Sequence, residues 1–170
     1  IKMIADVVPG LEEGVITPAT VYWDEKTDFG GGYTPKNDGN KYKNEGSNNE
    51  PMNIREFIKL SRNIPAVKIM RELTPTKSIE YLKGMGLSSL DEQDENLALA
   101  IGGMTHGASP LEMASAYGTI ANDGVYITPT FYTKVVDSSG NTVLTPNQEE
   151  KRIFSEQTAY LAKQIGMEPT

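Results

Sequence analysis

Residues 61–70 read SRNIPAVKIM. Apolar Phe57, Ile58 and Leu60 lie just before this stretch, and Val67, Ile69 and Met70 lie in its second half, so it joins two helices. Asn53 stands where the first helix needs a cap, and Pro65 suits the first turn of the second. A serine and an asparagine separated by one residue at such a join admit two readings. One is a helix stop with a side-chain hydrogen bond to the backbone. The other is a pair of polar groups turned into a reaction site.

Outward from the join, the chain alternates helix signals with polar loops. Ile1, Ile4, Val7, Val8 and Leu11 form a helical stripe that Pro9 can kink and Gly14 can stop. No capping residue precedes Ile1, as in a helix entered part-way. VITPATVYWDE, residues 15–25, is extended by its β-branched residues and Pro18. Residues 28–51 form a long polar surface loop that includes Gly30, Gly31 and Gly32. Thr74-Pro75 opens a helix through Ile79 and Leu82 that ends near Gly84 and Gly86. The acidic connector Asp91–Glu95 leads into LALAIGG. Ser109-Pro110-Leu111-Glu112 is a capping box whose helix runs through Met113, Tyr117 and Ile120 to Asn122-Asp123-Gly124. VYITPTFYTKVVD (125–137) and NTVLT (141–145) read as two strands of a hairpin around Ser138–Asn141. Ser155 caps a last helix that ends by Gly166. There is no internal repeat, and one domain is expected.

The bulk properties narrow the function classes. The chain has 170 residues, enough for one real core, with 38% hydrophobic and 23% charged residues. A net charge of −7 argues against nucleic-acid or anionic-membrane surfaces, which need clustered Lys and Arg. Without cysteine there is neither a disulfide nor thiol catalysis. No apolar run approaches the roughly 18 residues of a membrane span. His106, the only histidine, sits among glycines and reads as a loop residue. The acidic run Asp91, Glu92, Asp94 and Glu95 lacks the glycine and terminal glutamate of a calcium loop and reads as solvated. The glycine pairs form no phosphate-binding pattern. Tyr22, Trp23 and Tyr33 could stack on a ligand or be rim aromatics, with the second reading favoured.

Three blocks carry a resemblance. IKMIADVVPGLEEGVITPATV (1–21), NIREFIKLSRNIPAVKIM (53–70) and IGGMTHGASPLEMASAYGTIANDGVYITPTFYTKVVDSSG (101–140) resemble, in order and spacing, the transpeptidase domain of penicillin-binding proteins. The likeness is greatest to the bifunctional class A kind of Gram-positive bacteria. The first block resembles the helix of the Ser-x-x-Lys motif, the second the Ser-x-Asn block, and the third a glycine turn, capped helix and hairpin.

The resemblance implies an α+β fold, of which this chain is the mostly helical lobe, with most of the central antiparallel sheet outside it. It implies a single partial transpeptidase domain over residues 1–170. It also implies serine acyl transfer: D-Ala-D-Ala stem peptides of peptidoglycan as substrates, β-lactams as trapping acylators, and no cofactor or metal. On the matching positions Lys2 is the motif lysine, and Ser61 and Asn63 are the Ser-x-Asn pair. Met3 stands where the family often has proline. The nucleophilic serine is expected two positions before Ile1 and Lys-Thr-Gly beyond Thr170, so the chain alone is expected to be inactive. The remaining segments of the domain, a linked glycosyltransferase domain and an extracytoplasmic, membrane-anchored location follow from the same likeness. A non-catalytic wall-binding relative and a carboxypeptidase or β-lactamase of the same fold are the alternatives.

Overall fold

The computed structural model describes residues 1–45 and 50–167. Gly46–Asn49, inside the long polar stretch, therefore lie outside the described residues. A π-helical segment, Met3–Val7, runs directly into α1 (Val8–Glu12). The ribbon β1 (Val21–Tyr22) with β2 (Met52–Asn53) follows, then α2 (Ile54–Lys59), α3 (Asn63–Leu73) and α4 (Pro75–Gly84). Two short 3-10 turns, Glu92–Asp94 and Leu97–Ile101, lead to α5 (Pro110–Ala121). Four short strands, β3 (Val125–Ile127), β4 (Val135–Val136), β5 (Thr142–Leu144) and β6 (Glu150–Arg152), precede α6 (Glu156–Gly166).

The helix starts follow side-chain chemistry. Asn53 Oδ1 accepts from the Glu56 amide, Thr74 Oγ1 from Lys77, and Ser155 Oγ from Thr158. At α5 both halves of the capping box are made, Ser109 Oγ to the Glu112 amide and Glu112 back to Ser109 N. These caps sit where the sequence placed them. The core is built on α3, whose Ile64, Ala66, Val67, Ile69 and Met70 are all fully buried. Against them lie Ile4, Ala5, Val7 and Val8 of the first segment and Leu99 and Ala100 of the second 3-10 turn.

Pro9 shapes the first segment. A proline cannot donate to the carbonyl four residues back, here that of Ala5. Ser78 on α4 supplies the missing donor, its buried hydroxyl bonding Ala5 O at 2.7 Å. The widened turn at Met3–Val7 lies just before the proline. At the other end, Glu12 accepts from Ser155 N at 3.0 Å and Ser155 Oγ at 2.7 Å, tying α1 to the start of α6.

Two readings need correction. Residues 125–137 are not one strand: β3 pairs antiparallel with β6, which the sequence did not reveal, and only β4 and β5 form the expected hairpin. Pro129 separates β3 from β4, since it cannot donate to a ladder. The acidic connector is not uniformly solvated either. Asp94 is buried, and its carboxylate accepts from Asp91 N, Thr105 N and Thr105 Oγ1. Three donors to one carboxylate explain why it is tolerated inside.

Gly124 and Gly140 share a positive φ of 85° but differ in surroundings. A Cβ on Gly124 would meet Phe154 O at 2.2 Å, whereas one on Gly140 would meet nothing within 4 Å. Urea unfolding should therefore show Gly140→Ala costing about 1 kcal/mol, from backbone strain alone. Gly124→Ala should cost about 3 kcal/mol or more, because overpacking adds to the same strain.

Candidate functional site

α2 ends in a paired hydrogen-bond turn. The Arg62 amide reaches back to Phe57 O and the Ser61 amide to Ile58 O, each at 3.0 Å. This is a Schellman ending, in which the residue after the last cap turns left-handed. Glycine usually fills that place; here it is Ser61, with φ 51°. The left-handed region costs an ordinary L-residue about 1–2 kcal/mol.

The turn aims the Ser61 hydroxyl outward, where Lys2 Nζ donates to it at 3.3 Å. The two residues are 59 positions apart in the chain. Lys2 stands at the head of the π-helical segment and is half-buried. Burial disfavours its ammonium form and lowers its pKa, while the Asp6 carboxyl one turn further on pulls the other way. Desolvation is the larger influence, and the side-chain charge acting on Lys2 is that of an acid. Asp6 itself is fully buried, with neither carboxylate oxygen hydrogen-bonded among the described residues. Burial pushes its pKa well above the usual range, partly countered by Lys2.

Asn63 opens α3. Its Nδ2 donates to Lys36 O at 2.7 Å, with Oδ1 left as the acceptor end. The hydrogen bond to Lys2 is therefore made by Ser61, not by Asn63. Thus Lys2 and Ser61 touch, and Asn63 begins the next helix two residues on, with its amide anchored to the loop. Of the two readings of SRN, the helix stop is present at Ser61 but is made by backbone bonds rather than by the serine side chain, which is bonded to Lys2.

The sequence reading missed Asn37 and Asp24. Both are buried beneath the turn, and neither carries a periodic or motif signal. The other candidates do not join this site. His106 Nε2 lies 3.4 Å from Asp91 Oδ2 on an exposed surface. Tyr22 is buried and donates to Glu72, while Trp23 is exposed. Among the described residues no cluster of three or more His, Cys, Asp or Glu could hold a metal.

The profile of the family described as "Penicillin binding protein transpeptidase domain" matches residues 1–167. Penicillin-binding protein 1F of Bacillus subtilis is 36% identical over 159 residues, covering 94% of this chain and 21% of that protein. Penicillin-binding protein 1A of Clostridium botulinum is 33% identical over 138 residues, covering 80% of this chain and 16% of that protein. The chain thus spans about a fifth of these relatives or less. Among solved structures, penicillin-binding protein 1A of Haemophilus influenzae superposes with TM-score 0.78 at 22% identity, covering 96% of this chain and 28% of that one. Penicillin-binding protein A of M. tuberculosis, as an imipenem acyl-enzyme complex, gives TM-score 0.82 at 18% identity, covering 99% and 42%. With the family profile over nearly its whole length, the chain belongs to the penicillin-binding protein transpeptidase domains, and its fold is the partial α+β fold expected of one.

Ser61→Gly separates the two demands on this residue. Glycine relieves the left-handed strain, offset in part by its greater unfolded-state entropy. Thermal unfolding should show stability unchanged or raised by up to about 1 kcal/mol.

Proposed function

We propose that this chain is the helical part of a serine D,D-transpeptidase domain that cross-links peptidoglycan stem peptides, with Lys2, Ser61 and Asn63 in its active site. The observation that carries this reading is the Lys2–Ser61 hydrogen bond, which joins the two motif positions across the fold. In this reading the nucleophile is a serine two positions ahead of Ile1, one helical turn from Lys2. Neutral Lys2 accepts the serine proton as the hydroxyl oxygen attacks the carbonyl carbon of the D-Ala-D-Ala bond. The tetrahedral adduct collapses, the C–N bond breaks, and D-alanine leaves with a proton passed from Lys2 through Ser61. An amine of a second strand then attacks the ester, loses its proton along the same path, and restores the serine. The Asn63 side chain offers its Oδ1 to the amide N–H of the substrate. A β-lactam opens by the same attack, but its amine stays tethered, so the ester persists.

In the same reading the domain is completed by segments flanking residues 1–170, including a Lys-Thr-Gly strand, and this chain alone forms no acyl-enzyme. An apolar groove of about 500 Å³ lined by Met3, Ile58, Tyr117, Ile120 and Met167 supports this, as a face for missing sheet. The same reading assigns a membrane anchor and a glycosyltransferase domain to other parts of the polypeptide; no helix of the described residues is long and apolar enough to cross a membrane.

Intact mass before and after benzylpenicillin tests this on the complete polypeptide that contains this segment. A stable gain of one drug mass, mapped to a serine three residues before Lys2, is expected. No gain, with both flanking motifs present, would favour a non-catalytic relative; rapid drug turnover would favour a β-lactamase.

The pH dependence follows from the state of Lys2. Only the neutral amine accepts a proton, so the acylation rate should rise with pH through the Lys2 pKa. Burial lowers that pKa, so the rise should come below the ordinary lysine range. Lys2→Arg, which stays charged, should slow acylation about a hundredfold or more and remove this limb, as read by stopped-flow with a fluorescent penicillin.

A further inference from the structure

The turn that presents Ser61 and Asn63 is held from outside by the loop between β1 and β2. The first two amides of α3 need acceptors, and Arg62, at the cap position, gives no side-chain bond. The acceptor comes from Asn37, whose Oδ1 takes the Asn63 amide at 2.7 Å and the Ile64 amide at 3.4 Å. The third residue, Pro65, has no amide to satisfy. Asn37 thus caps α3 from 26 residues away.

Asn37 is itself fixed. Its Nδ2 donates to Asp24 Oδ1 at 2.7 Å and to Lys41 O at 3.0 Å, which uses both donors. Asp24 is fully buried, and its other oxygen accepts from Lys43 N at 2.9 Å. The same oxygen pairs with Arg62 Nε at 3.6 Å, and Arg62 Nη1 donates to Lys41 O at 2.8 Å. All three residues of the Ser-x-Asn turn are therefore gripped. Ser61 is held by the α2 ending, Arg62 by Asp24 and Lys41, and Asn63 by Asn37 and Lys36.

We propose that Asn37, oriented by Asp24, is a positioning residue for the transpeptidase reaction: it sets where α3 begins and so where the Asn63 amide and the Ser61 hydroxyl stand. This rests on the active-site reading above. A loop that only needed to fold could bury apolar groups; a buried, fully bonded Asn–Asp pair instead fixes one direction and one register. A misplacement of about 1 Å in a site of this kind can cost about a hundredfold in rate.

The test uses the complete polypeptide and benzylpenicillin, measuring the acylation rate constant and the non-covalent binding constant separately. Asn37→Asp keeps the acceptor for α3 but sets a carboxylate against Asp24. It should slow acylation about tenfold to a hundredfold with binding changed less than threefold. The double variant Asp24→Asn/Asn37→Asp restores a donor–acceptor pair with reversed polarity and should recover the rate to within about threefold. Asp28→Ala removes a different bond of the same loop, from Gly30 N to Asp28 Oδ1 at 2.8 Å, which involves neither Asn37 nor Asp24. It should leave the rate unchanged. Folding of each variant is checked by thermal unfolding. Unchanged acylation in a folded Asn37→Asp variant would overturn the proposal. So would a double variant no faster than the single, or an Asp28→Ala variant equally slow. A wild-type polypeptide that is not acylated at all would instead overturn the active-site reading, and the positioning role with it.

Discussion

Two helices meet at Ser61, and the left-handed residue there sets the geometry of everything around it. The strain of that conformation is about 1–2 kcal/mol. α3 begins two residues later and buries Ile64, Val67, Ile69 and Met70 completely. Each such side chain contributes about 1.5–3 kcal/mol when removed from water. Any one of them offsets the strain, so the turn cannot relax by sliding α3 along its neighbours. The core therefore fixes the height of the turn, and the turn fixes the direction of the serine hydroxyl. The Lys2 contact depends on both, because Lys2 rides on the segment whose Ile4, Ala5, Val7 and Val8 pack in the same core.

What the sequence made legible was mostly local. Asn53, Thr74, Ser109 and Ser155 cap helices because their side chains bond amides three residues on, and such contacts leave a pattern within one turn. Lys2, Ser61 and Asn63 could be named from motif positions, although spacing alone did not say which of them touch. What escaped was non-local or atypical. β6 is Glu-Lys-Arg, a poor strand by composition, and it forms only because β3 offers it a partner. Asp94 looked solvated because its neighbours are acidic; two of the three donors to its carboxylate come from Thr105, 11 residues away. Ser78 and Ala5 meet only because Pro9 frees a carbonyl, and a hydroxyl 73 residues away is no sequence signal.

Asn37 and Asp24 escaped for a related reason. The 28–51 stretch is polar and glycine-rich, which reads as surface. Asn37 within it is nonetheless buried against Asp24, which lies just before that stretch, and an amide and a carboxylate leave no hydrophobic periodicity to mark them. Polar burial of this kind is costly unless every atom is bonded. Here it is bonded to backbone groups as well as to side chains: the amides of Asn63, Ile64 and Lys43 and the carbonyl of Lys41. The network therefore holds a backbone path, and that path runs through the turn.

The same contrast between apolar and polar burial bears on the base role proposed for Lys2. A lysine needs to lose its proton to act, and water favours the ammonium. Half-burial works against that charge, and Asp6, if ionised, would work for it. But Asp6 is fully buried with no hydrogen bond to either oxygen among the described residues. An ionised carboxylate there is penalised by several kcal/mol, which is why its pKa is pushed well up. Raising the Asp6 pKa weakens the one opposing side-chain influence on Lys2. Desolvation thus shifts both groups toward neutrality, raising the pKa of the acid and lowering that of the amine. An acidic partner close to the lysine is thus compatible with a base of lowered pKa, provided that the partner lies deeper in the protein than the amine it faces.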